Sequence, residues 1–156
     1  MSIINPDRMK AQIDGSFVVF LIGMRINKPL NLMAWVPLAQ AMHRMLEELH
    51  DSDAQSGFLG HTDLGFFTKV EYWRSFDALA AYSQASSDQN WPAWQAFNRG
   101  AEKANPEHIG IWHEAYQVEA GAYDTLYRGM PPHGLGRCGN LVHATQLKRS
   151  ARRTRR

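Results

Sequence analysis

A single cysteine, Cys138, leaves this chain no intramolecular disulfide framework, so a hydrophobic core has to hold it together. That usage fits a reducing compartment and predicts a cytoplasmic protein. Cys138 is also a poor nucleophile, because it lies among glycines with no helix or obvious base beside it. Long apolar runs are missing as well. The run that opens at Phe17 is far shorter than the roughly 20 residues a membrane helix needs, and it lacks the basic flank of a signal peptide. No Walker loop, HExxH, CxxC or GxSxG pattern occurs. Gly134-x-Gly136-x-x-Gly139 spells a dinucleotide fingerprint, but it follows Pro131-Pro132 rather than a strand and belongs to no βαβ unit. It predicts a flexible turn, not a nucleotide site. Repeats of 20–50 residues are likewise absent.

Charge of one sign is scarce except at one place. The formal net charge is +2, yet Lys148, Arg149, Arg152, Arg153, Arg155 and Arg156 account for six of the 17 basic residues. Without them 11 basic residues face 15 acidic ones, a charge of −4. The basicity belongs to a tail, 148–156, predicted to be solvated and disordered. With no basic-aromatic surface beside it, nucleic acid is not an expected partner, and neither is a membrane.

The remaining residues, 1–147, are enough for one domain with a proper core. Residues 1–14 look irregular. Ser16 to Asn27 reads as a strand with Val18, Phe20, Ile22, Met24 and Ile26 on one face. The other face is also apolar until Arg25 and Asn27, so both are expected to be covered, one by helices and one around a cavity. Pro37 to His50 is an amphipathic helix, with Leu38, Ala41, Met42, Met45, Leu46 and Leu49 at three-and-four spacing and Pro37 in its first turn. Phe58–Asp63 and Phe66–Trp73 form a predicted hairpin around Leu64-Gly65. Ser75 then caps a helix carrying Ala78, Leu79 and Tyr82. A polar stretch, Ser86 to Asn90, interrupts it before Pro92 opens another helical run. Ile109 to Val118 is the last strand. The order β-α-β-β-α-β, with an extension from about residue 120, predicts an α+β, ferredoxin-like fold. A four-stranded sheet with helices on one side leaves its other face open, and two such sheets packing together make a dimeric α/β barrel. A homodimer is therefore expected.

The strand-to-helix junction Tyr72-Trp73-Arg74-Ser75-Phe76 resembles that of antibiotic-biosynthesis-monooxygenase domains. With Phe17 to Pro29, Pro92 to Asn98, Gly110 to Glu114 and Met130 to Gly136, it is similar to a bacterial and fungal monooxygenase-like family that includes a fumagillin-pathway polyketide oxygenase. The resemblance runs from about Ile4 to Thr145. It implies a dimeric barrel that oxidises a small hydrophobic substrate, aromatic or polyene, without a nucleotide cofactor. Barrels of this type also include haem enzymes, aldoxime-dehydratase-like or haem-degrading, and plain ligand binders, so those two readings stay open.

Trp73 and His113 are the candidate catalytic residues. The resemblance places Trp73 in the cavity, and His113 could be a general base, or the iron ligand if haem is bound. Phe67, Lys69, Glu71 and Trp73 share a face by alternation. Charges at 69 and 71 are better suited to a wet cavity than to the underside of helices, which marks Glu71 as a candidate substrate contact. Arg25 and Asn27 could hold a substrate oxygen, or Arg25 could simply pair with Glu71 or Glu114. His61 shares a face with Asp63, and His43 and His50 look solvated. Tyr127, with Tyr123, Met130 and Leu135, is expected to lie over the barrel and close the cavity mouth.

Overall fold

The computed structural model describes residues 4–51, 56–84 and 91–144. Most of the loop before Phe58, the polar stretch Ser86–Asn90 and the basic tail lie outside them. Ten elements follow in order: β1 (Met9–Gln12), β2 (Phe17–Ile26), α1 (Leu32–His50), β3 (Phe58–Asp63), β4 (Thr68–Trp73), α2 (Phe76–Gln84), α3 (Pro92–Lys103), β5 (Ile109–Val118), α4 (Leu135–Cys138) and β6 (Asn140–His143).

The main sheet is antiparallel, in the order β3-β4-β2-β5, which is the ferredoxin-like arrangement with α2 and α3 together in the second helix position. Register sets the two faces. Val18 stands beside Trp73, Phe20 beside Glu71 and Ala115, and Ile22 beside Lys69 and His113. These side chains form the inner face, under α1, α2 and α3. Met42, Met45, Leu46 and Leu49 of α1 pack there with Val18, Ile22, Trp73, Tyr82 and Phe97. Alternation explains the pattern, since consecutive residues of a strand point to opposite faces.

The helix α1 begins at Leu32, five residues before Pro37, so that Pro37 lies inside it. The indole N–H of Trp35 donates to the carbonyl of Pro29 at 3.0 Å and anchors this early start. Pro37 is on the exposed side of the helix, where its missing N–H disturbs no core contact. At α2 the Ser75 hydroxyl accepts from the N–H of Ala78 at 3.1 Å, as its position predicts.

Two elements were not legible as such. Residues 9–12 and 140–143 pair antiparallel as a separate ribbon of β1 and β6, from Met9 opposite His143 to Gln12 opposite Asn140. The ribbon and the segment 119–138 lie on the outer face of the chain's own sheet. Ala11, Ile13 and Leu135 pack there with Phe17, Val19, Tyr72 and Tyr127. The extension therefore covers the side opposite the helices. It does not close the mouth of a cavity, and Tyr127 is part of this layer.

Candidate active site

A cavity of about 430 Å³ lies between the inner face of the sheet and the helices α2 and α3. Phe20 and Ile22 form its floor with Ile111, His113 and Ala115 of β5. Leu79, Tyr82 and Ser83 wall it from α2, and Trp94, Phe97, Asn98 and Ala101 from α3. The expectation of a cavity on the face away from the helices is thereby corrected: cavity and helices share one face.

Glu71 is the chemically distinctive wall residue. Only 1% of its surface is exposed, and its Oε2 accepts a 2.9 Å hydrogen bond from the indole N–H of Trp73. Its other oxygen, Oε1, is buried with no hydrogen-bond partner. Burial pushes the carboxyl up from 4.5 to about 7, against the opposing pull of the Trp73 hydrogen bond. Lys69, on the same face, is buried too, and its ammonium pairs with Asp63 at 2.7 Å. Both residues sit under helices after all: Lys69 has an ion-pair partner, while Glu71 has one hydrogen bond and is shifted by burial toward its neutral form.

Two more unpartnered polar atoms belong to wall residues. The Tyr82 hydroxyl and the Trp94 indole N–H are both buried without a hydrogen bond. Tyr82 stacks between the two tryptophans, its ring centroid 5.3 Å from that of Trp73 and 4.8 Å from that of Trp94. Burial and then the nearby charges of Glu71 and Glu48 raise the phenol well above its ordinary value. Trp94 is held in turn by Glu48 of α1, whose carboxylate accepts from the N–H groups of Ala93 and Trp94 at 2.9 and 3.1 Å. A side chain from another helix thus caps α3, where Trp91 provides no side-chain cap of its own. Tyr82, Trp94 and Glu48 carried no signal in the sequence beyond helical spacing.

The other candidates are distributed differently. His113 lines the cavity from the edge strand, exposed, with its ring 5.5 Å from that of Phe20. One strand, β2, separates it from Glu71, and it lies two residues out of register, a backbone distance of roughly 12 Å at ordinary strand spacing. Trp73 is completely buried and is not part of the cavity wall; it reaches the site only through Glu71. Arg25 is exposed on the outer face, away from Glu71, so the ion pair considered between them is ruled out by the fold. Asn27 spends its amide on the carbonyl of Pro106 at 3.0 Å, tying the end of β2 to the loop before β5. His61 lies against His50 and Phe58, at centroid distances of 5.2 and 6.4 Å, and 3.9 Å from Asp63. Burial lowers its pKa. The Tyr127 hydroxyl accepts from the N–H of Gly136 at 3.1 Å, on the far side of the sheet. Cys138 also lies there, its thiol pushed up to about 11 by burial. No group of three or more His, Cys, Asp or Glu side chains suited to a metal ion occurs among the described residues.

The fold and this cavity define a ferredoxin-like α+β protein with a ligand-sized chamber under its helices. The same fold appears in the crystal structure of an aldoxime dehydratase, at a TM-score of 0.51 and 19% identity over 90% of this chain and 40% of that one. At that identity the likeness speaks for the fold alone. The chain belongs to the Monooxygenase af470-like family, whose profile matches residues 17–135. It is 27% identical over 132 residues to Monooxygenase af470 of Aspergillus fumigatus, covering 79% of this chain and 46% of the relative. The chain therefore spans less than half the length of either protein. No helix among the described residues is long and apolar enough to cross a membrane.

Proposed function

We propose that this protein is a monooxygenase-like enzyme that oxidises a small hydrophobic molecule, aromatic or polyene, in the chamber between the sheet and α2–α3. The observation that carries this reading is the buried Glu71 carboxyl in a mostly aromatic and aliphatic wall. Removing water makes a carboxylate a stronger base, and a value near 7 suits proton transfer at neutral pH. Glu71 in the depth and His113 toward the open edge flank any molecule lying across β2. A substrate deprotonated there becomes electron-rich enough to reduce O₂ itself. One oxygen atom enters the substrate in place of two hydrogens, and the other leaves as water, so no nucleotide is needed. Trp73 is a positioning residue in this scheme, holding Oε2 while Oε1 works. Family membership supports the oxidative class of the reaction.

Haem fits these residues poorly. His113 offers a nitrogen at the wall, but no Lys or Arg among the described residues lines the chamber to pair with propionates. Oxygen uptake with a panel of phenols and polyenes tests the reading. Uptake by the wild type that disappears in Glu71→Gln and His113→Ala supports it. A silent panel, with a new absorption band on adding haem, overturns it; silence in both leaves a ligand binder.

We also infer a homodimer in the cytoplasm. Trp112 and Tyr116 stand 38% and 52% exposed on the outer face of the edge strand β5, beyond the reach of the ribbon. A second copy laid on this open half would cover them. Sedimentation showing a stable monomer at micromolar concentration would remove this part of the proposal.

A further inference from the structure

Four titratable side chains form a two-by-two block on the inner face of the hairpin β3–β4. His61 lies directly opposite Glu71 in the register, and Asp63 directly opposite Lys69. Side chains opposed in this way start from Cβ atoms about 4.5–5.5 Å apart. Along β3 the His61 Nε2 is 3.9 Å from Asp63 Oδ1, and the Lys69 ammonium meets that same oxygen at 2.7 Å. The block runs from depth to surface. Glu71 is sealed, the His61 side chain is 14% exposed, and that of Asp63 is 58% exposed.

The two ring nitrogens of His61 have different surroundings. Nε2 is turned toward the exposed Asp63. Nδ1 is buried with no hydrogen-bond partner among the described residues, and so is Oε1 of Glu71, the residue across the strands. A turn of either side chain, or one water between them, joins the two atoms. The other charged or titratable groups near the ring are His50 of α1, Arg137 of α4 and Lys69, and Lys69 is already paired with Asp63. Burial lowers the imidazole and raises the carboxyl, so the ring loses its ordinary advantage in holding a proton.

The structure assigns to His61 the exit route for the proton that Glu71 takes up: the carboxylic acid donates to Nδ1, and Nε2 releases a proton to solvent beside Asp63. Only N–H and O–H bonds change, and the ring then returns to its starting tautomer. A ligand filling the chamber covers the front of Glu71, and His61, which does not line the chamber, stands behind it. His61 thus acts through Glu71 and never on the ligand. This inference rests on the reading of Glu71 as the chamber's base, but half of its test needs no turnover.

Proton NMR of the His61 ring, followed as pH rises through about 7 where Glu71 ionises, reads the link in the full chain. The ring signals should show two inflections, their own and that of Glu71, and Glu71→Gln should leave one. A single inflection, the same in wild type and Glu71→Gln, overturns the link without any substitution at His61. In oxygen uptake, His61→Ala should lower kcat at least about tenfold with KM unchanged. Added imidazole should restore the variant and leave the wild type as it was. A variant as fast as wild type, or a loss that imidazole does not restore, overturns the relay. A wild type that takes up no oxygen yet shows both inflections sinks the oxidative reading and keeps the proton link. Uptake that survives Glu71→Gln removes Glu71 as the base, and the relay with it.

Discussion

Both faces of the main sheet bury aromatic and aliphatic side chains, the inner face far more of them, yet they treat their polar atoms in opposite ways. On the outer face the ribbon and the 119–138 segment are tied down throughout. The Tyr123 hydroxyl accepts from the N–H of Ile13 at 2.8 Å and donates to its carbonyl at 3.3 Å. Thr125 accepts from Ala11, Thr62 from Gly134 and Tyr127 from Gly136. On the inner face His61, Glu71, Tyr82 and Trp94 each leave a buried polar atom unpaired, and the last three are residues of the chamber wall. A layer that only needs to be stable satisfies its hydrogen bonds; the layer holding the chamber keeps several in reserve. The difference separates cover from site on one sheet.

The contrast can be broken most forcefully at Trp73. Trp73→Ala empties a fully buried site and strips Glu71 of its one hydrogen bond, so thermal or urea unfolding should show a loss of about 3–5 kcal/mol. Trp73→Phe keeps most of the ring area, and should lose less stability while still impairing oxygen uptake.

Glu71 gives the next largest effect, and its sign depends on pH. Burial lifts its folded value to about 7, above the unfolded 4.5, so the bound proton favours the fold. That contribution is complete below about pH 4.5 and is lost as pH rises through about 7. It amounts to no more than about 3 kcal/mol. The groups around the carboxyl are Trp73 on its own strand, Tyr82 of α2, His61 opposite it on β3 and His113 across β2. Glu71→Gln should therefore unfold at a higher temperature than wild type near pH 8 and lose that advantage near pH 5. A variant less stable than wild type at both values would show that the carboxylate is better satisfied than its surroundings indicate.

A pair of tyrosines compares the faces directly. Tyr123→Phe removes two hydrogen bonds and leaves Ile13 unpaired, which should cost on the order of 1 kcal/mol. Tyr82→Phe removes a hydroxyl with no partner, and its stability should be unchanged or slightly higher. Equal losses from the two would end the distinction between faces. Smallest of all is the stability effect of His113→Ala on the exposed edge strand, expected within about 0.5 kcal/mol, alongside lost oxygen uptake.

How much of this was visible in the sequence depended on where the information resides. The strands β2, β4 and β5 and the helix α1 carry strong two-fold or three-and-four spacing, and their existence and order could be read directly. The four-residue strands β1 and β6 pair across most of the chain, and their one local trace is the alternation of Met9, Ala11 and Ile13. The side on which the chamber opens was misread for a specific reason. Lys69 and Glu71 look like solvated charges until Asp63 and the Trp73 indole are seen to hold them, one by an ion pair and one by a hydrogen bond. Alternation put Glu71 and Trp73 on one face but could not show that the indole is spent on the carboxylate. The unpaired atoms of Tyr82 and Trp94 have no sequence signature, since a missing partner is a property of three-dimensional packing.

The ribbon on the outer face has a consequence for how the molecule assembles and comes apart. Ala11 meets Thr125, and Ile13 meets Tyr123, across 114 and 110 residues of intervening chain. The β2–β5 pairing spans nearly as much chain, but the ribbon packs on the outer face of the finished sheet and so forms after the sheet it rests on is in place. The outer cover should then behave as a cooperative unit of lower local stability, opening before the main sheet does. Amide hydrogen exchange would reveal it as a shared rate for Met9, Ala11 and Tyr127, faster than that of Phe20 or Val70. A nick in either partner segment would release both at once.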